Sequence, residues 1–110
     1  MRRVSMFLAV ACVTLAFYGQ ALGIDAANIF MTKCSPCHGK DAKGTAMAPS
    51  LAGGEFIAKS DVAAIKDTIK NGRSGDQKKY KNFPLAMPKW DTQLKEDEID
   101  AVAKYLKGLK

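Results

Sequence analysis

Apolar residues follow two different patterns along this chain. Near the N-terminus they are continuous: Met6 to Tyr18 is a 13-residue run broken only by Thr14. Further on they become periodic. Ile29 and Phe30, with the stem of Lys33, place one apolar side on a helix from about Ala26 to Cys37. Val62, Ile65 and Ile69 recur at i, i+3 and i+7, which predicts a helix capped by Ser60, with Asp61 in its first turn, and closed by Asn71-Gly72. Ile99, Val102, Leu106 and Leu109 predict a third helix over about Glu96 to Leu109. Its acidic residues cluster at the start and Lys104 and Lys107 near the end, an order that suits the helix dipole. No segment alternates convincingly as a strand. Two long connections, Gly39–Lys59 and Arg73–Asp91, are rich in glycine, proline and lysine. Loops of that length in a compact domain usually wrap something or carry function.

The continuous run is an export signal by its flanks. Arg2 and Arg3 precede it, and Ala21-Leu22-Gly23 supplies small residues where a signal peptidase reads. It is too short for a bilayer span, which needs about 20 apolar residues. A lipoprotein reading through Cys12 lacks the leucine three positions before it, where Ala9 stands. The expectation is cleavage after Gly23, leaving one domain over 24–110; an unprocessed signal would instead tether the protein to the membrane.

Composition then changes meaning. The full 110 residues exclude a multidomain enzyme, and nine glycines and four prolines exclude collagen-like or low-complexity chains. Cleavage removes Arg2 and Arg3, lowering the net charge from +6 to +4, and removes Cys12, leaving only Cys34 and Cys37. A domain only slightly above ~70–80 residues has a thin core and commonly needs a staple, metal or cofactor.

Cys34-Ser35-Pro36-Cys37-His38 supplies it. Two thiols three positions apart suit addition to the two vinyl groups of one haem, and the next histidine then lies under the iron as an axial ligand. A zinc site would lack ligands, because the exported chain has two cysteines and one histidine. A thioredoxin-type dithiol requires a βαβ pattern that is absent. A disulfide between Cys34 and Cys37 would close almost no loop. An export signal followed by this pentapeptide points to c-type haem attachment.

With these motifs in place, 26–110 resembles a small bacterial class I cytochrome c. The resemblance implies an all-α fold of about three main helices, with long loops wrapped around one covalently bound haem c. Ala48-Pro49-Ser50-Leu51 is similar to the family's proline–leucine segment, which implies that the Pro49 carbonyl accepts a hydrogen bond from the His38 ring and that Leu51 contacts the cofactor. Leu85-Ala86-Met87-Pro88-Lys89-Trp90, with Met87 49 residues past His38, resembles the family's methionine–proline loop and makes Met87 the expected sixth ligand. Met47 adjoins the segment on the histidine side, and Met31, in the first helix, is expected to fill core near the haem edge. Phe30 and Tyr105 match the aromatic pair where the terminal helices cross, with Val102 and Leu106 alongside. Lys95 departs from the usual serine or threonine cap of the last helix, so Asp91 or Thr92 is expected to cap an earlier start.

Histidine and methionine together leave no open iron site for a small-molecule substrate, and the soft thioether favours Fe(II). The expected function is therefore a periplasmic single-electron carrier, not an enzyme, working between respiratory partners. The alternative is a haem c relay subunit of a larger redox complex; a gas-binding protein with a labile methionine is a third reading. Arg73, Lys78, Lys79, Lys81 and Lys89 face only Asp76 in their segment, which predicts docking on acidic surfaces of an oxidase, reductase or dehydrogenase. No motif supports nucleic-acid binding. A monomer or weak oligomer is expected.

Overall fold

The computed structural model describes residues 23–109. The run Met6–Tyr18, Cys12 and all of the expected signal except Gly23 lie outside them. Helices α1 (Ala26–Ile29) and α2 (Ser35–His38) are joined by a π-helical turn, Phe30–Cys34, so that 26–38 forms one helical stretch. Asp25 caps it, its carboxylate accepting from the Asn28 N–H at 3.0 Å. The π turn has a local cause. Pro36 has no N–H to give to the carbonyl four residues back, and its ring crowds that carbonyl. The backbone widens instead, and the Ser35 N–H reaches the Phe30 carbonyl.

Helix α3 (Glu55–Lys59) lies inside the first long connection, which the periodicity alone left without a helix; it buries Ile57. Helix α4 (Val62–Asn71) begins one residue later than expected. Asp61, not Ser60, is the cap: its backbone is extended and its carboxylate accepts from the Ala64 N–H at 2.8 Å, while Ser60 closes α3 by donating to Phe56. Helix α5 (Glu96–Lys107) also starts without the earlier Asp91 or Thr92 cap. Residues 91–94 form a turn in which the Gln93 and Leu94 N–H groups both bond the Trp90 carbonyl. Lys95 stands at the cap; the Glu98 carboxylate accepts from its N–H at 2.9 Å, and the Glu98 N–H, which a cap hydroxyl would take, goes to the Asp97 carboxylate at 2.9 Å. At the other end Gly108 takes the cap position, two residues short of the expected limit.

The core is where α4 and the 26–38 stretch pack on α5. Phe30, Ile65, Ile99 and Val102 are all at most 1% exposed, each contributing about 1.5–3 kcal/mol of burial. The Phe30 and Tyr105 rings meet at 5.9 Å between centroids, tilted by 47°. Lys107 fastens α3 to α5 by donating to the carbonyls of Ile57 and Ser60 at 2.8 and 2.6 Å. Among the described residues the sole extended pairing is an isolated antiparallel bridge between Arg73 and Met87. The fold is therefore all-α, and no described helix is long and apolar enough to cross a membrane.

Candidate functional site

Both long connections fold against one cleft. The first, after His38, is tied down by its own backbone: the Gly44 N–H bonds the His38 carbonyl at 2.8 Å, and the Ala42 carbonyl accepts from Leu51 and Ala52 at 2.7 and 2.9 Å. Gly44 has φ +87, and a Cβ there would lie 2.8 Å from the Ser50 nitrogen, so only glycine allows this closure. The second connection leaves α4 at Gly72 and returns through the bridge. Arg73 and Met87 exchange both main-chain hydrogen bonds, at 3.0 and 2.9 Å, and the Trp90 N–H bonds the Ile69 carbonyl at 3.1 Å.

The cleft between them measures about 1050 Å³ including its open mouth, and Cys34, Cys37, His38, Pro49, Leu51 and Met87 all line it. Neither Cys34 nor Cys37 is in a disulfide. Burial, with Cys37 alongside, pushes the Cys34 thiol up to about 11 against the opposing pull of Lys33, so it is protonated at neutral pH. His38 Nδ1 lies 3.0 Å from the Pro49 carbonyl oxygen. That oxygen can only accept, so Nδ1 carries the proton and donates it, leaving the Nε2 lone pair for a ligand. Burial holds the imidazole below its usual pKa while the Pro49 bond pulls the other way, which keeps the ring neutral at pH 7.

The three methionines separate. Met31 is 40% exposed and does not line the cleft, so it does not fill the core there; it lies on the outer side of the π turn, whereas the adjacent Phe30 takes the buried position. Met47 lines the cleft but belongs to the loop that bonds His38, and is itself 40% exposed. Met87 lies on the other loop and packs partly against the core.

Aromatic side chains missed by helical periodicity complete the walls: Phe56, Tyr80 and Phe83. Their signal was present as large rings in polar, glycine- and lysine-rich segments outside any periodic stripe, Phe56 falling in the short α3. Lys33, Arg73, Lys78 and Lys79 also line the cleft, and no carboxylate among the described residues does. Such a cleft suits a flat apolar ligand carrying negative charge at one edge. Among the described residues no three His, Cys, Asp or Glu side chains gather as a cation site.

Known proteins show the same arrangement of chain. Residues 23–106 match the family described as cytochrome c oxidase, cbb3-type, subunit III. Similar chains include the cbb3-type cytochrome c oxidase subunit CcoP of Cereibacter sphaeroides, 33% identical over 91 residues, covering 81% of this chain and 28% of that one. Another is subunit FixP of a Bradyrhizobium species, 35% identical over 109 residues, covering 88% and 34%. This chain thus spans roughly a third or less of the length of these relatives. Among solved structures, the KustC0563 c-type cytochrome superposes with a TM-score of 0.60 at 24% identity, over 79% of this chain and 99% of that one. Cytochrome cL of Methylophaga aminisulfidivorans gives 0.57 at 24%, over 74% and 50%. These two show the fold, that of a small c-type cytochrome. With a family match running through almost every described residue, the chain belongs to the cbb3-type cytochrome c oxidase subunit III family and has the class I cytochrome c fold.

Proposed function

We propose that this chain holds one haem c and passes single electrons between redox proteins on the periplasmic side of the membrane. The observation that carries the reading is the convergence of two thiols, a neutral imidazole with its Nδ1 engaged, and a thioether on one apolar cleft rimmed by cations. Cys34 and Cys37 would attach the macrocycle, His38 Nε2 and Met87 Sδ would hold the iron, and Leu51, Phe56 and Trp90 would exclude water. The bound haem supplies a one-electron Fe(II)/Fe(III) couple. The Pro49 bond fixes the His38 ring plane and raises its basicity, and the thioether and apolar walls both favour the ferrous state. With His38 and Met87 both holding the metal, no ligand position would be left for a substrate, so the chain would work as a carrier and not as an enzyme. Export by the N-terminal segment places it where haem c proteins function.

The test is the visible spectrum of wild type beside Met87→Ala. The weak red-end absorption of a ferric iron–methionine bond is expected in the first and absent in the second, and the ferrous wild type is expected not to bind carbon monoxide. A band that survives in Met87→Ala would assign the ligand to another methionine.

A second reading is favoured by the names of the relatives, which are oxidase subunits. In it the chain relays electrons within a larger redox complex. Size-exclusion of a native extract separates the two: a free carrier elutes as a small species below the 11.9 kDa of the full 110 residues, a relay subunit with the complex.

A further inference from the structure

Arg73 stands at the junction of α4 with the segment that carries Met87, and its two ends hold different things. Its main chain pairs with Met87 in both directions. Its guanidinium donates to the Gly72 carbonyl at 2.6 Å and to the Asp67 carboxylate at 2.9 Å. Asp67 uses its other oxygen to accept from the Asn71 side chain at 2.7 Å. One carboxylate on α4 thus gathers both residues that flank Gly72. Gly72 is the point of closest approach, since a Cβ there would lie 2.5 Å from the Met87 carbonyl oxygen at φ +68.

The need for such a clamp follows from the pairing. The bridge is isolated, with no further ladder on either side, and residues 74–86 loop out between its partners. Two main-chain bonds closing an excursion of that length hold weakly by themselves. Helix α4, by contrast, is anchored in the core by Ile65 and Ile69, so a side-chain tie from α4 transfers its rigidity to the bridge.

We propose that the Asp67–Arg73 pair is a positioning device for Met87: it locks the last turn of α4 to the main chain of Met87 and so sets how readily another ligand displaces the thioether. This rests on the reading of Met87 as the axial ligand. Neither Asp67 nor Arg73 touches the iron; both act through the backbone of the ligand.

The experiment is imidazole titration of the ferric haem-loaded protein, which reports how often the methionine position is open. Asp67→Ala and Arg73→Gln are expected to bind imidazole about twofold to fivefold more tightly than wild type, the effect of losing a largely exposed ion pair. Arg73→Lys keeps the charge but not the fork, and falls between. Glu55→Gln breaks a comparable ion pair, with Lys59 at 2.9 Å, within α3, away from α4 and the bridge, and is expected to match wild type. Thermal unfolding is measured on each variant. A lowered midpoint with wild-type imidazole affinity in Asp67→Ala and Arg73→Gln would make the pair merely structural and overturn the proposal. If Arg73→Gln does not fold, Asp67→Ala, which leaves both bridge bonds in place, decides. Met87→Ala is run alongside: loss of its red-end band with unchanged affinity in the clamp variants sinks the clamp alone, whereas a surviving band sinks the ligand assignment and the clamp with it.

Discussion

His38 Nδ1 donates to the Pro49 carbonyl across 3.0 Å, eleven residues along the chain. The bond is held in place by ties between the loop and the last turn of the histidine's own helix. The Gly44 N–H ties the loop back to the His38 carbonyl, and Thr45 ties it to the Cys37 carbonyl through its hydroxyl at 2.5 Å.

Gly44→Ala should disturb that bond first. The substitution combines a left-handed backbone with a Cβ 2.8 Å from the Ser50 nitrogen and 3.0 Å from the Pro49 carbonyl carbon. A loss of about 1–3 kcal/mol is expected, read as a lower denaturant midpoint with an unchanged slope.

Phe30→Ala should cost about 3–5 kcal/mol, because it empties a fully buried position and removes the ring contact with Tyr105. The nearby Met31→Ala should change stability by less than about 0.5 kcal/mol, since its side chain is exposed. Chemical denaturation of the two variants side by side checks the pair.

Acid should weaken the α4–α5 contact. Hydrogen bonds from Lys70 and Lys66 hold the Glu96 carboxyl below its ordinary 4.5, and one from Lys104, with Lys66 nearby, holds Asp100 below 3.8. Carboxyls depressed in the folded state bind fewer protons there than when unfolded. Their stabilisation is therefore present above the ordinary carboxylate values and lost as pH falls through the lower, folded values. Unfolding midpoints measured downward from pH 6 should drop below about pH 4.5. In Glu96→Gln/Asp100→Asn the drop should be shallower, and added salt should shrink the difference.

Electron exchange with an acidic redox partner should slow as ionic strength rises. Arg73, Lys78 and Lys79 stand at the cleft and Lys81 and Lys89 on the same connection, and screening shortens the reach of such a field. Stopped-flow rates from low to high salt would read the same at every concentration if the lysines had no steering role.

Much of the arrangement was legible in the chain. Helical periodicity located α4 and α5 because an amphipathic stripe is a local property, set by residues three and four apart. The pentapeptide was legible because thiol spacing on one helical turn is equally local. Misplaced caps at Ser60 and Asp91 have the opposite origin. Capping at Asp61 depends on Ser60 already closing α3, and α3 itself is too short to show a period. Met31 was misread because Pro36 forces a π turn that shifts the register of the preceding residues, and the stripe continued from Phe30 assumes an unbroken α-helix.

By itself, the sequence determined the all-α class and marked out the Cys34–His38 pentapeptide, since both rest on residue type and short-range spacing, whereas Met87 was singled out by resemblance to a family loop. Only the tertiary structure decided that Asp67 reaches Arg73, that Gly72 lets the Met87 main chain approach, and that Phe56, Tyr80 and Phe83 wall one cleft with the thiols. Those relationships join residues from separate loops. Their geometry comes from how α4 and α5 pack and where the backbone bonds close each excursion, and no periodicity along the chain encodes that.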